Sequence, residues 1–290
     1  MNAALVKLVP LVMLVAACGQ KPADEAQKSS GDYAARMAQE HKNDAPGASP
    51  AAQAGESAAV KTDTVTYATV KGREIRGYLA YPAQAEGGLP AVLLFHEWWG
   101  LNDNIKSMAR QIAGQGYVAL AADLYGGEVA SEPDAARGLM TAALADREGV
   151  SQNLRQAHAF LKEQIKATRI GTLGWCFGGS MSLRTALLLP DQIDATVIYY
   201  GHVSSDPAEL KPLTAPVLGL FGGSDGGIPV DSVRAFEQTL KSLGKNAEIH
   251  IYEGADHAFA NPSGGNYKAD AAQDAWAKTL AFLATHLKGG

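Results

Sequence analysis

The sequence predicts one α/β domain, in which helices cover both faces of a doubly wound, mostly parallel sheet. Short, nearly continuous apolar runs recur along the 290-residue chain, as they do in strands that are buried on both faces of a parallel sheet. Segments with helical periodicity lie between these runs. Alternation of strand and helix on this scale argues for a doubly wound sheet in a single domain.

The domain is expected to occupy residues 61–290 and to open with an antiparallel pair of strands. Apolar and polar residues alternate within residues 62–81, which is typical of half-buried strands. Further strands are predicted at residues 91–95, 117–121, 170–173, 195–199 and 217–221, with one towards an edge at 249–252. Helices are predicted at residues 104–115, 133–146, 151–166, 179–189, 230–243 and 267–287.

Residues 1–17 are expected to be a signal peptide. Lys7 precedes an apolar run, residues 8–17, that is too short to span a bilayer comfortably. Small residues stand directly before Cys18, which resembles a bacterial lipobox and implies lipidation of Cys18. Ordinary secretory cleavage, with Cys18 left as a thiol, is the alternative. Either way we expect export, as a membrane-anchored lipoprotein of a bacterial cell envelope or as a periplasmic protein.

Residues 18–60 are expected to be a flexible tether between the lipid and the domain. Beyond Cys18 the segment is rich in small and polar residues, and Tyr33 and Met37 are its only large hydrophobic residues. Such a composition cannot bury a core. A short helix at residues 33–41 is compatible with the sequence, but we expect it to find little to pack against.

Charge and cysteine content limit the classes of function. The formal net charge is −5, and the leader to be removed contains Lys7 but no acid. An acidic mature chain argues against nucleic acid as a partner. The two cysteines are Cys18 and Cys176. If Cys18 carries lipid, Cys176 is a lone thiol and a candidate reactive group, although a buried, inert cysteine is more common.

Cys176 stands in a pattern that suits a nucleophile. The run Gly174-Trp175-Cys176-Phe177-Gly178-Gly179 follows a predicted strand and opens a predicted helix, which is the setting of a nucleophile elbow. Such a sharp turn crowds its neighbours, so glycine is needed at residues 174 and 178. The sulfur then lies at a helix N-terminus, where the thiolate is favoured. The alternative is a glycine-rich helix start with a buried cysteine.

Asp225 and His257 follow Cys176 in the order of nucleophile, acid and histidine. Asp225 follows a predicted strand through a glycine pair, so its carboxylate is expected at the carboxyl edge of the sheet. It would fix the tautomer of His257 and leave the other ring nitrogen to face Cys176. The open alternatives are a turn role for Asp225, Asp256 as the acid, and His96 or His202 as the base.

Together these motifs resemble the dienelactone hydrolase family, from about residue 62 to the C-terminus. The similar segments, in family order, are Phe95-His96-Glu97-Trp98-Trp99-Gly100-Leu101, Ala122-Asp123-Leu124-Tyr125, Gly174-Trp175-Cys176-Phe177-Gly178-Gly179, Tyr199-Tyr200-Gly201, Gly222-Gly223-Ser224-Asp225 and Gly254-Ala255-Asp256-His257-Ala258-Phe259. The resemblance implies the α/β-hydrolase fold. It also implies hydrolysis of a small-molecule carboxylic ester or lactone, through a thioester on Cys176 with His257 and Asp225 completing a triad.

The resemblance implies roles for five further residues. Glu97 is similar to a glutamate that lies near the resting thiol and takes part in forming the thiolate as substrate binds; an ordinary charged loop residue is the alternative. The backbone N–H groups of Phe177 and Trp98 are expected to form an oxyanion hole. Trp99 and Tyr125 are expected to contact substrate, with tryptophan rings as flat apolar walls.

The sequence departs from the family beyond the histidine. Members that act on anionic dienelactone carry an arginine in the loop after the catalytic histidine, whereas this chain has Asn261 in that position. Arg137 or Arg147 is the alternative source of a cation. We therefore predict that Asn261 faces the substrate, and that neutral esters and lactones are preferred over carboxylated ones.

Two other classes of function compete with a hydrolase. A thiol-based redox protein built on Cys176 would need a resolving cysteine or a Cys-x-x-Cys motif, and the sequence has neither. A catalytically silent binding module would be expected to have lost part of the triad. No cofactor is expected, and no metal, because no His, Asp or Glu cluster shows ligand spacing on a common element. The sequence gives no prediction of oligomeric state.

Overall fold

The computed structural model describes residues 23–42, 59–84 and 88–289. The predicted signal peptide, Cys18 and residues 43–58 of the predicted tether lie outside these ranges. Within them, no helix is both long enough and apolar enough to cross a membrane.

An eight-stranded sheet forms the centre of the domain. Its strands are β1 (Val60–Val70), β2 (Arg73–Pro82), β3 (Ala91–Phe95), β4 (Val118–Ala122), β5 (Ile170–Trp175), β6 (Ala195–Tyr199), β7 (Val217–Gly222) and β8 (Ala247–Tyr252). Their order across the sheet is β1-β2-β4-β3-β5-β6-β7-β8. β2 runs antiparallel to β1 and to β4, and the other neighbours are parallel. The predicted mostly parallel sheet with an antiparallel pair at its start is confirmed.

Helices cover this sheet. They are α1 (Ala23–Glu40), α2 (Asp103–Gly114), α3 (Pro133–Ala145), α4 (Arg147–Ala159), α5 (Phe177–Leu188), α6 (Pro207–Leu210), α7 (Val230–Ser242) and α8 (Ala269–Leu283). Every residue of β3 to β7 is buried, which requires cover on both faces and explains the continuous apolar runs. The sequence therefore predicted the architecture correctly.

Two helices differ in detail from the prediction. The helix expected from residue 151 begins earlier, at Arg147, because the Asp146 side chain caps it by accepting the Gly149 N–H at 3.0 Å. The short α6 was not predicted, since four residues carry no helical periodicity. Neither difference displaces a predicted strand.

α1 contradicts the expectation that a helix in this stretch would find little to pack against. Tyr33, Ala34 and Met37 on α1 are buried, as is His41 directly after it. The helix packs against α3, and the end of the Met37 side chain lies directly against Gly227, in the loop after β7. The described part of the predicted tether is thus joined to the domain along one face of a helix.

Candidate active site

Cys176 lies in the turn between β5 and α5. Its φ of 55° is in the left-handed region, which a residue with a side chain adopts only when its surroundings hold it there. The Cys176 N–H donates to the Tyr199 carbonyl at 3.0 Å. A Cβ at Gly174 would overlap the backbone of Gly178, so glycine is needed for the close approach. The turn has the geometry of a nucleophile elbow.

Asp225 and His257 lie in the loops after β7 and β8. Oδ2 of Asp225 is 2.7 Å from Nδ1 of His257, and Oδ1 accepts the N–H groups of Gly227 and Ile228, each at 2.8 Å. Both side chains are fully buried. The carboxylate is therefore fixed from two sides, and Nδ1 carries the hydrogen that points towards it, while Nε2 faces away from Asp225.

The charges of Cys176 and His257 stabilise each other. Burial alone would raise the pKa of the Cys176 thiol, but the positive charges of His257 and His41 lower it to about 6. Burial alone would lower the pKa of His257, whereas Asp225 and the Cys176 thiolate raise it well above its ordinary value. A thiolate and an imidazolium paired in a low-dielectric site explain both shifts. The arrangement favours the thiolate form of Cys176 near neutral pH.

α1 and the turn after it lie directly over this thiol. Sγ of Cys176 is 3.6 Å from Nε2 of His41 and 3.6 Å from Sδ of Met37. The His41 ring stacks on Trp98 with centroids 4.8 Å apart and meets the His257 ring edge-on at 5.1 Å. Cys176 and His257 are both 0% exposed. The described conformation therefore closes the thiol off from solvent.

Sequence reasoning placed His41 in the tether and so missed its position in the site. The available signal was the spacing of Tyr33, Met37 and His41, which recur every four residues in an otherwise polar segment. This spacing puts all three on one face of a helix. Tyr33 extends the same face, with its ring 5.2 Å from that of His202.

Of the two positions predicted to form an oxyanion hole, Phe177 follows Cys176 directly, and the Trp98 ring stacks on His41. Phe177 is the first residue of α5, so its N–H is among those that a helix leaves without an internal acceptor. Trp98 is buried and packs on Trp99 with ring centroids 4.9 Å apart. Tyr125, a predicted substrate contact, is buried and stacks on Phe177 with centroids 5.7 Å apart.

Glu97 and Asn261 meet in a cleft next to the thiol. The Glu97 carboxylate accepts a hydrogen bond from the Tyr200 hydroxyl at 3.3 Å and from Asn261 Nδ2 at 2.6 Å. Oδ1 of Asn261 accepts from Asn104 Nδ2 at 2.9 Å. These four residues line the cleft together with Trp175. Asn261 thus lines the cleft, and its amide N–H group is held by Glu97, while its predicted contact with substrate stays a prediction.

The alternative acid and bases lie outside the triad geometry. Nδ1 of His96 is 2.5 Å from the Glu97 carbonyl oxygen, and its Nε2 accepts the Leu124 N–H at 3.2 Å, so both ring nitrogens have partners. His202 and Asp256 are exposed. Of the candidates weighed, His257 is the histidine that joins Asp225 to the thiol cluster.

The two arginines considered as alternative cations lie on the helices that follow β4. Arg137 is exposed on α3 and faces Asp134 at 3.8 Å. Arg147 is exposed at the start of α4. Neither belongs to the described residues that line the cleft at Glu97.

Comparisons with known proteins agree on one family. The sequence model of the "Dienelactone hydrolase family" matches residues 75–287. "Protein usf" of Aquifex pyrophilus is 34% identical over 74% of this chain and 95% of its own. A protein of Aquifex aeolicus named "Putative carboxymethylenebutenolidase" is 31% identical over 75% of this chain and 96% of its own. The crystal structure of a "Putative Dienelactone Hydrolase" from Klebsiella pneumoniae is 28% identical, with a TM-score of 0.69 over 78% of this chain and 99% of that one.

Proposed function

This chain belongs to the dienelactone hydrolase family, and on that premise we propose that it cleaves carboxylic esters or lactones with Cys176 as the nucleophile. That it is a hydrolase of the dienelactone hydrolase type follows from the family. The observation that supports the finer proposal is the 2.7 Å contact between Asp225 and His257 in a buried cluster with the Cys176 sulfur.

In the first half-reaction the Cys176 thiolate attacks the carbonyl carbon. A new carbon–sulfur bond forms, and the carbonyl electron pair moves onto oxygen. In this proposal the N–H groups of Phe177 and Trp98 hydrogen-bond to that oxyanion. When the tetrahedral intermediate collapses, the alkoxide leaves and takes a proton from Nε2 of the His257 imidazolium. Asp225 keeps the ring oriented throughout.

In the second half-reaction water cleaves the thioester. The neutral His257 removes a proton from the attacking water, the tetrahedral intermediate forms again, and the Cys176 thiolate leaves. The carboxylic acid product is released, and the thiolate and imidazolium pair is restored. For a lactone the alcohol and the acid are parts of one product molecule.

Substrate entry requires α1 to move. Met37 and His41 lie 3.6 Å from the sulfur, which is the space that a bound carbonyl group would need. We expect the closed form to exchange with one in which the segment that carries these two side chains is displaced. We propose that Glu97, which lines the adjacent cleft, then meets the substrate and acts in proton transfer.

The experiment that tests this function is a comparison of substrates and variants. The full chain is assayed against a panel of short-chain esters and lactones beside Cys176→Ser, which retains a nucleophile of similar size but with a far higher pKa. Turnover of at least one carboxylic ester or lactone that falls by orders of magnitude in Cys176→Ser supports the proposal. Absence of turnover on every ester and lactone in the wild-type panel would favour a silent binding module.

We also propose export, with lipid on Cys18. The support is the sequence alone, namely the apolar run at residues 8–17 that ends in small residues before Cys18. Cys18→Ala should release the protein from the membrane fraction of an expressing bacterium, while Cys176→Ala should leave its distribution unchanged. Mass spectrometry of the mature N-terminus that finds Met1 or an unmodified Cys18 rules the proposal out.

A further inference from the structure

Cys176, His257 and His41 form a cluster of metal-binding groups, and the proposed hydrolase mechanism has no step for His41. The two ring nitrogens and the sulfur all lie within 4.8 Å of one another, and all three residues are buried. They belong to three separate places in the chain: the turn after α1, the elbow and the loop after β8. The three residues do not share a helix or loop with the regular spacing of metal ligands, so the sequence did not predict the cluster.

The distance between Cys176 Sγ and His41 Nε2 suits a tetrahedral zinc ion. Zinc bonds of about 2.3 Å to thiolate and about 2.0 Å to imidazole, set at the tetrahedral angle, place the sulfur and the nitrogen about 3.5 Å apart. The observed distance from Cys176 Sγ to His41 Nε2 is 3.6 Å. The thioether sulfur of Met37, 3.6 Å from Sγ, adds a soft donor beside the cluster.

His257 is already held as a zinc-binding histidine usually is. Such histidines commonly donate their second ring N–H to a carboxylate, which fixes the tautomer and makes the coordinating nitrogen more basic. Nδ1 of His257 makes this contact with Asp225 at 2.7 Å. Nε2 is buried and makes no hydrogen bond at ordinary geometry to any residue that the structure describes. A buried imidazole nitrogen that faces a thiol and a second imidazole can coordinate the same metal ion as they do.

We propose that the closed form binds one Zn²⁺ through Sγ of Cys176 and the Nε2 atoms of His41 and His257. Binding to the thiolate and imidazolium pair displaces one proton, from Nε2 of His257, which passes to solvent, and no group is oxidised or reduced. Water or the Met37 thioether completes the tetrahedron. Because His41 follows α1, the ion links that segment to the elbow. It also occupies the sulfur of the nucleophile and the nitrogen of the base, so neither can react. Inhibition of the hydrolase by zinc rests on the proposed function, whereas zinc binding itself does not.

Zinc binding to the full chain tests the proposal independently of activity. Zn²⁺ is titrated in competition with a chromophoric chelator, for wild type, Cys176→Ala, His41→Gln and His41→Cys. We expect one ion per wild-type chain, loss of binding in Cys176→Ala and at least about tenfold weaker binding in His41→Gln. His41→Cys supplies another zinc ligand and should restore binding. His250→Ala is the matched control, because His250 pairs with Glu248 at 2.5 Å on β8 and is the kind of exposed pair that binds zinc adventitiously.

Cobalt gives a second, spectroscopic measurement. Co²⁺ added to the wild type should produce the intense visible bands of a tetrahedral site together with a sulfur-to-cobalt charge-transfer band, and the latter should vanish in Cys176→Ala. Equal zinc affinity in wild type and His41→Gln, or loss of the ion only in His250→Ala, would overturn the proposal. So would equally weak binding by His41→Gln and His41→Cys. Zinc binding that follows this pattern in a protein without esterase activity would separate the site from the proposed function.

Discussion

At the scale of single residues, two opposing effects decide the protonation state of the Cys176 thiol. Burial disfavours the thiolate, and the neighbouring positive charges of His257 and His41 favour it more strongly, so the pKa of Cys176 falls to about 6. Asp225 is essential to this balance because it stabilises the charged imidazole. The pKa of the Cys176 thiol therefore depends on side chains from three other parts of the chain.

This balance predicts the acid limb of the pH profile. The proposed nucleophile must be deprotonated, so kcat/KM for a neutral ester should level off about one pH unit above 6 and fall as the pH drops through about 6, where the thiolate gains a proton. Well below that pH, kcat/KM should fall by nearly tenfold per pH unit. The apparent pKa of this limb is a property of the thiolate and imidazolium pair and not of one group. Steady-state rates across the pH range measure it. A limb near the ordinary thiol pKa of about 8.5 would contradict the ion pair.

Asp225→Asn should lower kcat by about 10³- to 10⁴-fold. The amide oxygen can still accept the N–H groups of Gly227 and Ile228, so the loop should keep its shape. The amide N–H group would then face Nδ1 of His257 and favour the wrong tautomer. Asp256→Asn is the matched control, because Asp256 is adjacent to the histidine but exposed. Equal losses in both variants would show that the assignment of Asp225 is wrong.

Asn261→Arg should shift the substrate preference towards anions. Without a cation in the cleft, a substrate carboxylate lacks a charge-assisted contact worth about 1.5–3 kcal/mol, so neutral esters and lactones should be preferred. The gain in the variant should be smaller than that range, because Glu97, 2.6 Å from the Asn261 amide, would compete for the new guanidinium. The specificity constants of a matched neutral and anionic pair measure it. A wild type that already favours the anion strongly contradicts this account of the cleft.

At the scale of elements, the sequence predicted strands better than it predicted contacts between distant segments. β3 and β6 have the predicted bounds because buried strands are continuous apolar runs between turns. The elbow was predictable because its glycines are a local requirement. The position of α1 was not predictable, since only a few residues of a polar segment form its buried face. The elbow on which that face packs lies far along the chain, so no local pattern indicates the contact.

A charge on the buried face of α1 should open the site. Ala34 is 2% exposed, whereas Ala35, its neighbour on the same helix, is exposed. Ala34→Glu would bury an unpaired carboxylate, which costs several kcal/mol and favours the displaced helix. Alkylation of Cys176 by iodoacetamide should therefore speed up by about tenfold or more, while Ala35→Glu should leave the rate near that of wild type. Equal alkylation rates in wild type and both variants would show that α1 does not cover the thiol in solution.

At the scale of the whole molecule, the parallel sheet brings the residues of the candidate site to one edge. Cys176, Asp225 and His257 follow β5, β7 and β8, whose carboxyl ends share one edge. Chain order and strand succession were therefore enough to predict that these three residues follow strands at one edge of the sheet, and their action as a catalytic triad stays a prediction. The distances between these side chains, and the cover of the thiol by Met37 and His41, depend on how the loops and α1 pack. The sequence pattern does not predict that packing. The predicted division into leader, tether and domain stays a prediction, because residues 1–22 and 43–58 lie outside the described residues.

The central claim is that Cys176 forms a thioester with the acyl group of an ester or lactone. The most direct measurement is rapid-quench mass spectrometry of the full chain during turnover of a short-chain aryl ester, with Cys176→Ala in parallel. We predict an acyl adduct on the peptide that contains Cys176, formed and lost at rates consistent with turnover, and a loss of at least about 10³-fold in kcat for Cys176→Ala. Turnover by Cys176→Ala at the wild-type rate, with no adduct on the wild-type peptide, would contradict the account.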